Sequence, residues 1–126
     1  MPEATTLLEA VDRLADRFRS MPQSQLLGAV PGHPSRAAAG LALASELAAA
    51  AQLLEEGADA ALRPLPSAGA FAVGDQLAVA GHDLVAALGD RPADAVVPTT
   101  DGVRSTAAGL LAGAVAAVGA VGELCS

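Results

Sequence analysis

Several residue types are missing or rare in this chain of 126 residues. It contains no Lys, Asn, Ile, Trp or Tyr, only two Phe and only one Cys. The absence of Ile and the scarcity of aromatic residues disfavour a large β-sheet, which depends on such side chains. With one cysteine, Cys125, the chain cannot form an internal disulfide.

Positive charge is also scarce. Seven Arg stand against fourteen Asp and Glu, which gives a formal net charge of −7. A surface of that sign repels nucleic-acid phosphates and anionic lipid headgroups, so we expect no nucleic-acid partner. The first residues include acids and lack the basic and apolar segments of a signal peptide, which predicts a cytoplasmic location.

What the chain has in abundance is alanine, at 32 positions. Alanine has the highest intrinsic helix propensity, so this composition favours helices. A chain of this length can bury a real hydrophobic core, and we expect one domain over residues 1–126.

The apolar periodicity predicts four helices. Their predicted bounds are 5–21, 35–56, 70–88 and 102–124. In the first, apolar residues recur at steps of four and three from Leu7 to Met21. Gly57 is a natural end for the second helix, and Asp101 is expected to cap the fourth. Connections rich in Pro and Gly separate the helices, and the sequence therefore predicts an all-α, antiparallel four-helix bundle.

The fourth predicted helix has no charged residue between Ser105 and Gly122. We expect it to be buried on nearly all sides, with Leu110 in the core. Three locations fit: the bundle interior, a homodimer seam or a membrane. Because Ala and Gly are weakly hydrophobic, the sequence favours the first two. Gly109 and Gly113 form a small-residue pair that allows close helix approach, and they mark the expected self-association face.

The third predicted helix carries the densest polar group in the chain: Asp75, Gln76, His82 and Asp83. Asp75 and His82 lie seven residues apart and share one side of the helix. Their separation along the axis is about 10 Å from the helical rise, too far for a direct hydrogen bond. We expect a polar surface cluster with an at least partly exposed His82.

The stretch AGHDLVAALG, from Ala80 to Gly89, resembles the active helix of histidine-phosphotransfer domains. Those domains are small acidic four-helix bundles in which an exposed His is followed two residues later by Leu, as His82 is by Leu84. The resemblance implies a phosphoacceptor role for His82. The family usually has Lys and then Gly after that Leu. Val85 and Ala86 stand here, so a phosphoryl group would lack its usual charge partner.

No catalytic or metal motif is present. The chain has no G-x-S-x-G sequence, no Gly-rich loop before a basic residue, and no His or Cys pair with metal-ligand spacing. We expect no metal, no cofactor and no nameable catalytic residue. The favoured function is a non-catalytic helical bundle that acts by binding a protein partner or itself. The alternatives are a phosphorelay bundle that uses His82, and a small-ligand or metal-binding bundle enzyme with an unidentified pocket.

Overall fold

The computed structural model describes residues 2–126, of which about 65% are helical. The elements are α1 (Pro2–Ser20), α2 (Gln23–Leu26), α3 (Arg36–Glu56), a 3-10 turn (Ala70–Ala72), α4 (Val73–Leu88), β1 (Val96–Val97), β2 (Ser105–Thr106) and α5 (Ala107–Leu124). The predicted all-α class is confirmed, with one small antiparallel sheet added. In that sheet Val96 lies opposite Thr106, and Val97 lies opposite Ser105.

Two of the four long helices match their predicted bounds closely. The Ser35 hydroxyl accepts a hydrogen bond from the Ala38 N–H at 2.9 Å and so caps α3. At the other end of α3, Gly57 has a φ of 94°, a conformation that favours glycine. The apolar stripe of α1, from Leu7 to Met21, is buried as its spacing predicts.

The fourth long helix starts later than predicted, at Ala107 rather than near residue 102. Ser105 and Thr106 pair with β1, and the Thr106 hydroxyl then accepts the Gly109 N–H at 3.0 Å. Asp101 caps no helix. Its carboxylate instead accepts the Val103 N–H at 2.9 Å in the turn that precedes β2. The predicted Asp101 cap is therefore wrong, because strand pairing holds the next residues extended.

α4 packs against both α1 and α3. Arg19 pairs with Asp75, and Asp12 with His82, so α1 and α4 run in opposite directions. On the other side, a Cβ at Gly40 would meet Val73, near the start of both α3 and α4.

α3 and α4 also lie together where they end. There the Arg91 guanidinium donates to the Leu54 carbonyl at 3.2 Å. These two helices therefore run in the same direction, which differs from the predicted antiparallel arrangement.

The connection between α3 and α4 explains this parallel pair. Residues 57–72 reach about 50 Å when extended, more than the roughly 31 Å length of a helix of 21 residues. The chain can thus return along the bundle before α4 begins. The Gln52 side chain accepts the Arg63 N–H at 2.9 Å, and Gln76 donates to the Pro66 carbonyl at 2.7 Å. Both contacts hold this segment against the helices.

α5 packs beside α1 and α3. The Arg17 guanidinium donates to the Gly122 carbonyl at 3.1 Å, so the carboxyl ends of α1 and α5 lie together. At the far end of α3, Gly57 shares a groove with Arg104, which precedes α5. α5 therefore runs parallel to α1 and antiparallel to α3.

The position of α5 overturns its predicted burial. The buried residues of this helix are Ala107, Leu111, Ala114 and Val118. Leu110 is only partly buried, and residues on the opposite side face outward. The expectation of burial on nearly all sides is wrong for a single copy of the chain, because α5 has neighbours along one side only.

Candidate functional site

The predicted polar cluster on α4 divides into two pairs. Asp75 and His82 face α1: the Asp75 carboxylate accepts from Arg19 at 2.8 Å, and His82 Nε2 lies 2.9 Å from Asp12 Oδ1. Gln76 donates to the Pro66 carbonyl and, with Asp75 and Asp83, lines a groove toward the returning segment. The four side chains do not converge on one point: Asp75 and His82 link α4 to α1, and Gln76 links it to the returning segment.

His82 is half exposed, as its helical phase predicts. Its side chain retains 52% of its accessible surface. Nε2 is engaged by the Asp12 carboxylate, and Asp83 follows directly in sequence. A phosphoryl group on Nε2 would replace that hydrogen bond and face a carboxylate of like charge. The geometry therefore offers access to the imidazole, and within residues 2–126 the only charged group paired with it is the Asp12 carboxylate, which would repel the product.

Metal ligands do not gather in the described part of the chain. Within residues 2–126, no group of three or more His, Cys, Asp or Glu side chains is placed to hold an ion. Cys125 is fully buried, and that burial raises the pKa of its thiol. A protonated, enclosed thiol is a poor nucleophile and a poor metal ligand.

The largest unexplained feature is the outward side of α5, which we call the α5 outer face. Its members are all small and exposed: Gly109, Ala112, Gly113, Ala116, Gly119 and Ala120. A Cβ built at Gly113 or Gly119 would meet no atom within 4 Å. Around Gly113 and Gly119 this face therefore leaves the helix backbone accessible.

The two glycines of the predicted pair, Gly109 and Gly113, differ in their surroundings. A Cβ at Gly109 would lie 2.6 Å from the Ser105 hydroxyl and 3.1 Å from the Thr106 hydroxyl. A methyl group at position 109 would therefore displace the Ser105 hydroxyl and crowd the Thr106 cap at the start of α5. Gly113 has no such neighbour, so the open part of the face begins there.

Two grooves flank α5. The α3–α5 groove has a volume of about 390 Å³, and its lining includes Leu47, Leu110 and Glu46. The α1–α5 groove has a volume of about 570 Å³, and Arg13 and Val115 are among its lining residues. Each groove combines apolar side chains with charged ones. The α5 outer face lies between these two grooves.

The start of α5 is not a free anion site. The N–H groups of Ala107 and Ala108 donate to the carbonyls of Ala95 and Ala93, both at 2.9 Å. The Gly109 N–H is bonded by Thr106. The first three N–H groups of α5 therefore have protein partners, which is why the helix terminus offers no site for an anion.

Sequence reasoning missed Arg13 and Glu46, which lie on either side of the α5 outer face. Both are exposed, and neither makes an ion pair or a side-chain hydrogen bond within residues 2–126. In the sequence, each has the pattern of an ordinary exposed charge on a helix. Only the spatial order of the helices brings them beside α5, so no local signal could have identified them.

Two helices are long and apolar enough to cross a membrane by length and composition alone, within the described chain. They are α3 and α5. In the apolar stretch of 18 residues that could cross a membrane, 56% of the residues of α3 are buried, but only 22% of those of α5. Burial explains the apolar character of α3 as that of a core helix. It does not explain that of α5, whose outer side contacts nothing in one copy of the chain.

Comparison with known proteins identifies no family for this chain. No protein-family model, no curated protein and no solved structure matches it. Function is therefore inferred from the residues and their geometry.

Proposed function

We propose that this protein acts through protein–protein contact, with the α5 outer face as its association surface, and that it catalyses no reaction of its own. The supporting observation is the uncovered, uncharged side of α5 between Gly109 and Ala120. Continuous exposed apolar surface marks interaction sites more often than isolated apolar side chains do.

The chemistry of the face suits helix packing. Gly and Ala leave the backbone accessible, so a partner helix can approach α5 closely and make many van der Waals contacts. These side chains also have almost no rotamer freedom to lose on binding. The apolar parts of the two flanking grooves, including Leu110 and Val115, add larger side chains to the contact.

The test is a charge placed in the middle of the face. Ala116→Glu should abolish association, because a partner would have to bury an unpaired carboxylate. Ala86→Glu is the matched control, since Ala86 is also exposed but lies on α4. Sedimentation velocity over a wide range of protein concentration gives the readout. A wild-type chain that remains monomeric throughout would contradict self-association, and equal behaviour of the two variants would contradict the choice of face.

A phosphoacceptor role for His82 is the second candidate, and the exposure of its imidazole favours it. Incubation with a small phosphoryl donor should then give an acid-labile adduct that is absent from His82→Gln. Asp12→Asn should increase the adduct, because it removes the carboxylate that occupies Nε2. No adduct on either the wild type or Asp12→Asn would leave His82 as a surface histidine that links α1 to α4.

A further inference from the structure

We propose that the partner of the α5 outer face is a second copy of this chain, and that the two α5 helices run in the same direction about a two-fold axis parallel to them. This inference rests on the association surface proposed above and adds its partner and its geometry. The charges on the two flanks of the face, together with its small residues, distinguish this partner and this orientation.

Each groove beside α5 contains charges of both signs, but their balance is opposite: the α1–α5 groove has Arg13, Arg17 and Glu123, and the α3–α5 groove has Glu46, Asp101 and Arg104. On the α1 side, Arg13 lines the groove together with Val115 and Val118. On the α3 side, Glu46 lines the groove with Gly113 and Ala114. Both charged residues therefore lie beside the middle of α5.

Two symmetric arrangements can place one α5 outer face against another. If the helices are parallel, the two-fold axis exchanges left and right, so the α1 flank of one copy meets the α3 flank of the other. Arg13 then faces Glu46 of the second copy, and this happens twice. If the helices are antiparallel, each flank meets itself. Arg13 then faces Arg13, and Glu46 faces Glu46, which is repulsive.

The direction of the flanking helices defines which helices meet in each arrangement. α1 runs along α5 and α3 runs against it, as the contact of Arg17 with Gly122 and the groove shared by Gly57 and Arg104 show. In the parallel dimer, α1 of one copy therefore lies antiparallel to α3 of the other. In the antiparallel dimer each flanking helix would meet its own copy, also in the antiparallel direction, so helix dipoles do not select the parallel arrangement and the flanking charges carry the choice.

The size of the face fits a weak dimer. The 18 residues of α5 span about 27 Å, and a strip roughly 20 Å wide, two helix diameters, has an area on the order of 500 Å² per copy. That is about 1,000 Å² in total, near the lower limit for a specific interface. At this size, the charges on the flanks decide orientation more than affinity.

A charge swap tests the pairing of Arg13 with Glu46. Arg13→Glu and Glu46→Arg should each raise the dimer dissociation constant by roughly tenfold, because attraction becomes repulsion at both symmetric contacts. The double variant Arg13→Glu/Glu46→Arg should restore wild-type affinity. Sedimentation equilibrium at low salt gives these constants, and high salt should reduce the differences. If the losses in association free energy of the two single variants simply add in the double variant, Arg13 and Glu46 are not paired, and the proposal is wrong.

Cysteine cross-linking tests the direction of the helices. In a Cys125→Ser background, Ala120→Cys should form a disulfide-linked dimer with itself, because position 120 meets position 120 when the helices are parallel. Cross-linking only in a mixture of Ala112→Cys with Ala120→Cys would indicate antiparallel helices and contradict this geometry, while the association surface itself would stand. A chain that is monomeric in water but binds neutral phosphatidylcholine vesicles would overturn both proposals.

Discussion

α4 and α5 are similar in composition and opposite in environment. Both are apolar and contain glycines at helical spacing. In α4 the glycines lie at tight crossings: a Cβ at Gly81 would lie 2.6 Å from Val11, and one at Gly74 would lie 2.8 Å from the Ala15 carbonyl oxygen. In α5, Gly113 and Gly119 face open space. The same residue type therefore permits a close contact within the chain in one helix, and leaves a surface ready for contact in the other.

The two helices differ because neighbouring elements cover more sides of α4 than of α5. α4 lies between α1 and α3, and the connection before it packs along a further side through Pro66 and Gln76. α5 also has two neighbours, but nothing covers its outward side. An apolar helix is thus not necessarily an interior one, and the uncovered side indicates where association is expected.

The largest predicted effect comes from truncating a leucine in each helix. Leu84 of α4 is fully buried, so Leu84→Ala should lower the free energy of unfolding by about 2–5 kcal/mol. Leu110 of α5 is only partly buried and lines the α3–α5 groove, so Leu110→Ala should cost clearly less. Urea unfolding of dilute protein, followed by circular dichroism, measures both. Equal losses would show that α5 is as enclosed as α4.

A second matched pair uses the glycines. Gly81→Ala should destabilise the chain, because overpacking against Val11 costs about 1–3 kcal/mol, more than the roughly 1 kcal/mol gained in helix propensity. Gly113→Ala should instead stabilise the monomer by about 1 kcal/mol, since its new methyl group meets nothing. The same variant should weaken self-association, because that methyl group separates the two α5 helices. Thermal unfolding and sedimentation equilibrium report the two effects separately. A destabilised Gly113→Ala monomer would contradict the open environment of this residue.

A smaller effect concerns the pH dependence of folding stability, to which the start of α5 should contribute and the start of α4 should not. α4 has no side-chain cap, whereas the turn before α5 is held by Asp101. Hydrogen bonds from the Thr99 hydroxyl and from the Val103 N–H lower the pKa of Asp101. Because the folded pKa lies below the unfolded one, this stabilisation is present above the unfolded value and is lost as pH falls through the folded value.

Asp101→Asn should therefore be less stable than wild type at neutral pH, and the difference should shrink below about pH 4. Urea unfolding at pH 7 and at pH 3 gives the comparison. A stability difference that is the same at both pH values would mean that the carboxylate charge does not hold this turn.

The smallest effect is a difference in thiol reactivity between the buried Cys125, just after α5, and a cysteine placed on the α5 outer face. Burial raises the pKa of the Cys125 thiol and hides it from reagents, so it should react slowly with a maleimide at pH 7. A cysteine introduced by Ala116→Cys, on the outer face, should react at the rate of a free thiol in dilute protein. Mass spectrometry of timed samples distinguishes the two sites. Rapid labelling of Cys125 would show that the inner side of α5 opens readily.

Local features of the fold were predictable from the sequence. The stripe from Leu7 to Met21 and the stop at Gly57 depend on nearby residues, and the structure confirms them. The start of α5 was not predictable in the same way, because it depends on pairing between Val96 and Thr106. The parallel direction of α3 and α4 depends on long-range packing and on the path of residues 57–72, which the apolar pattern of either helix does not specify.

The candidate surface was predictable only in part. The small residues Gly109 and Gly113 indicated a face for close approach, and Gly113 lies in the open part of that face. The position of Arg13 and Glu46 beside α5 could not be predicted, since nothing in the sequence shows which helices neighbour α5. His82 was expected at the surface, but its partner Asp12 lies 70 residues away along the chain.

Amide hydrogen exchange at a series of protein concentrations tests the central claim most directly. The account predicts that α4 amides are protected at every concentration, because both of its glycine crossings are closed within one copy of the chain. The amides of residues 112–120 in α5 should exchange faster in dilute protein and become protected as the concentration rises, and Ala116→Glu should remove that dependence. Protection of residues 112–120 that equals that of α4 in dilute wild-type protein, and does not change with concentration, would contradict it.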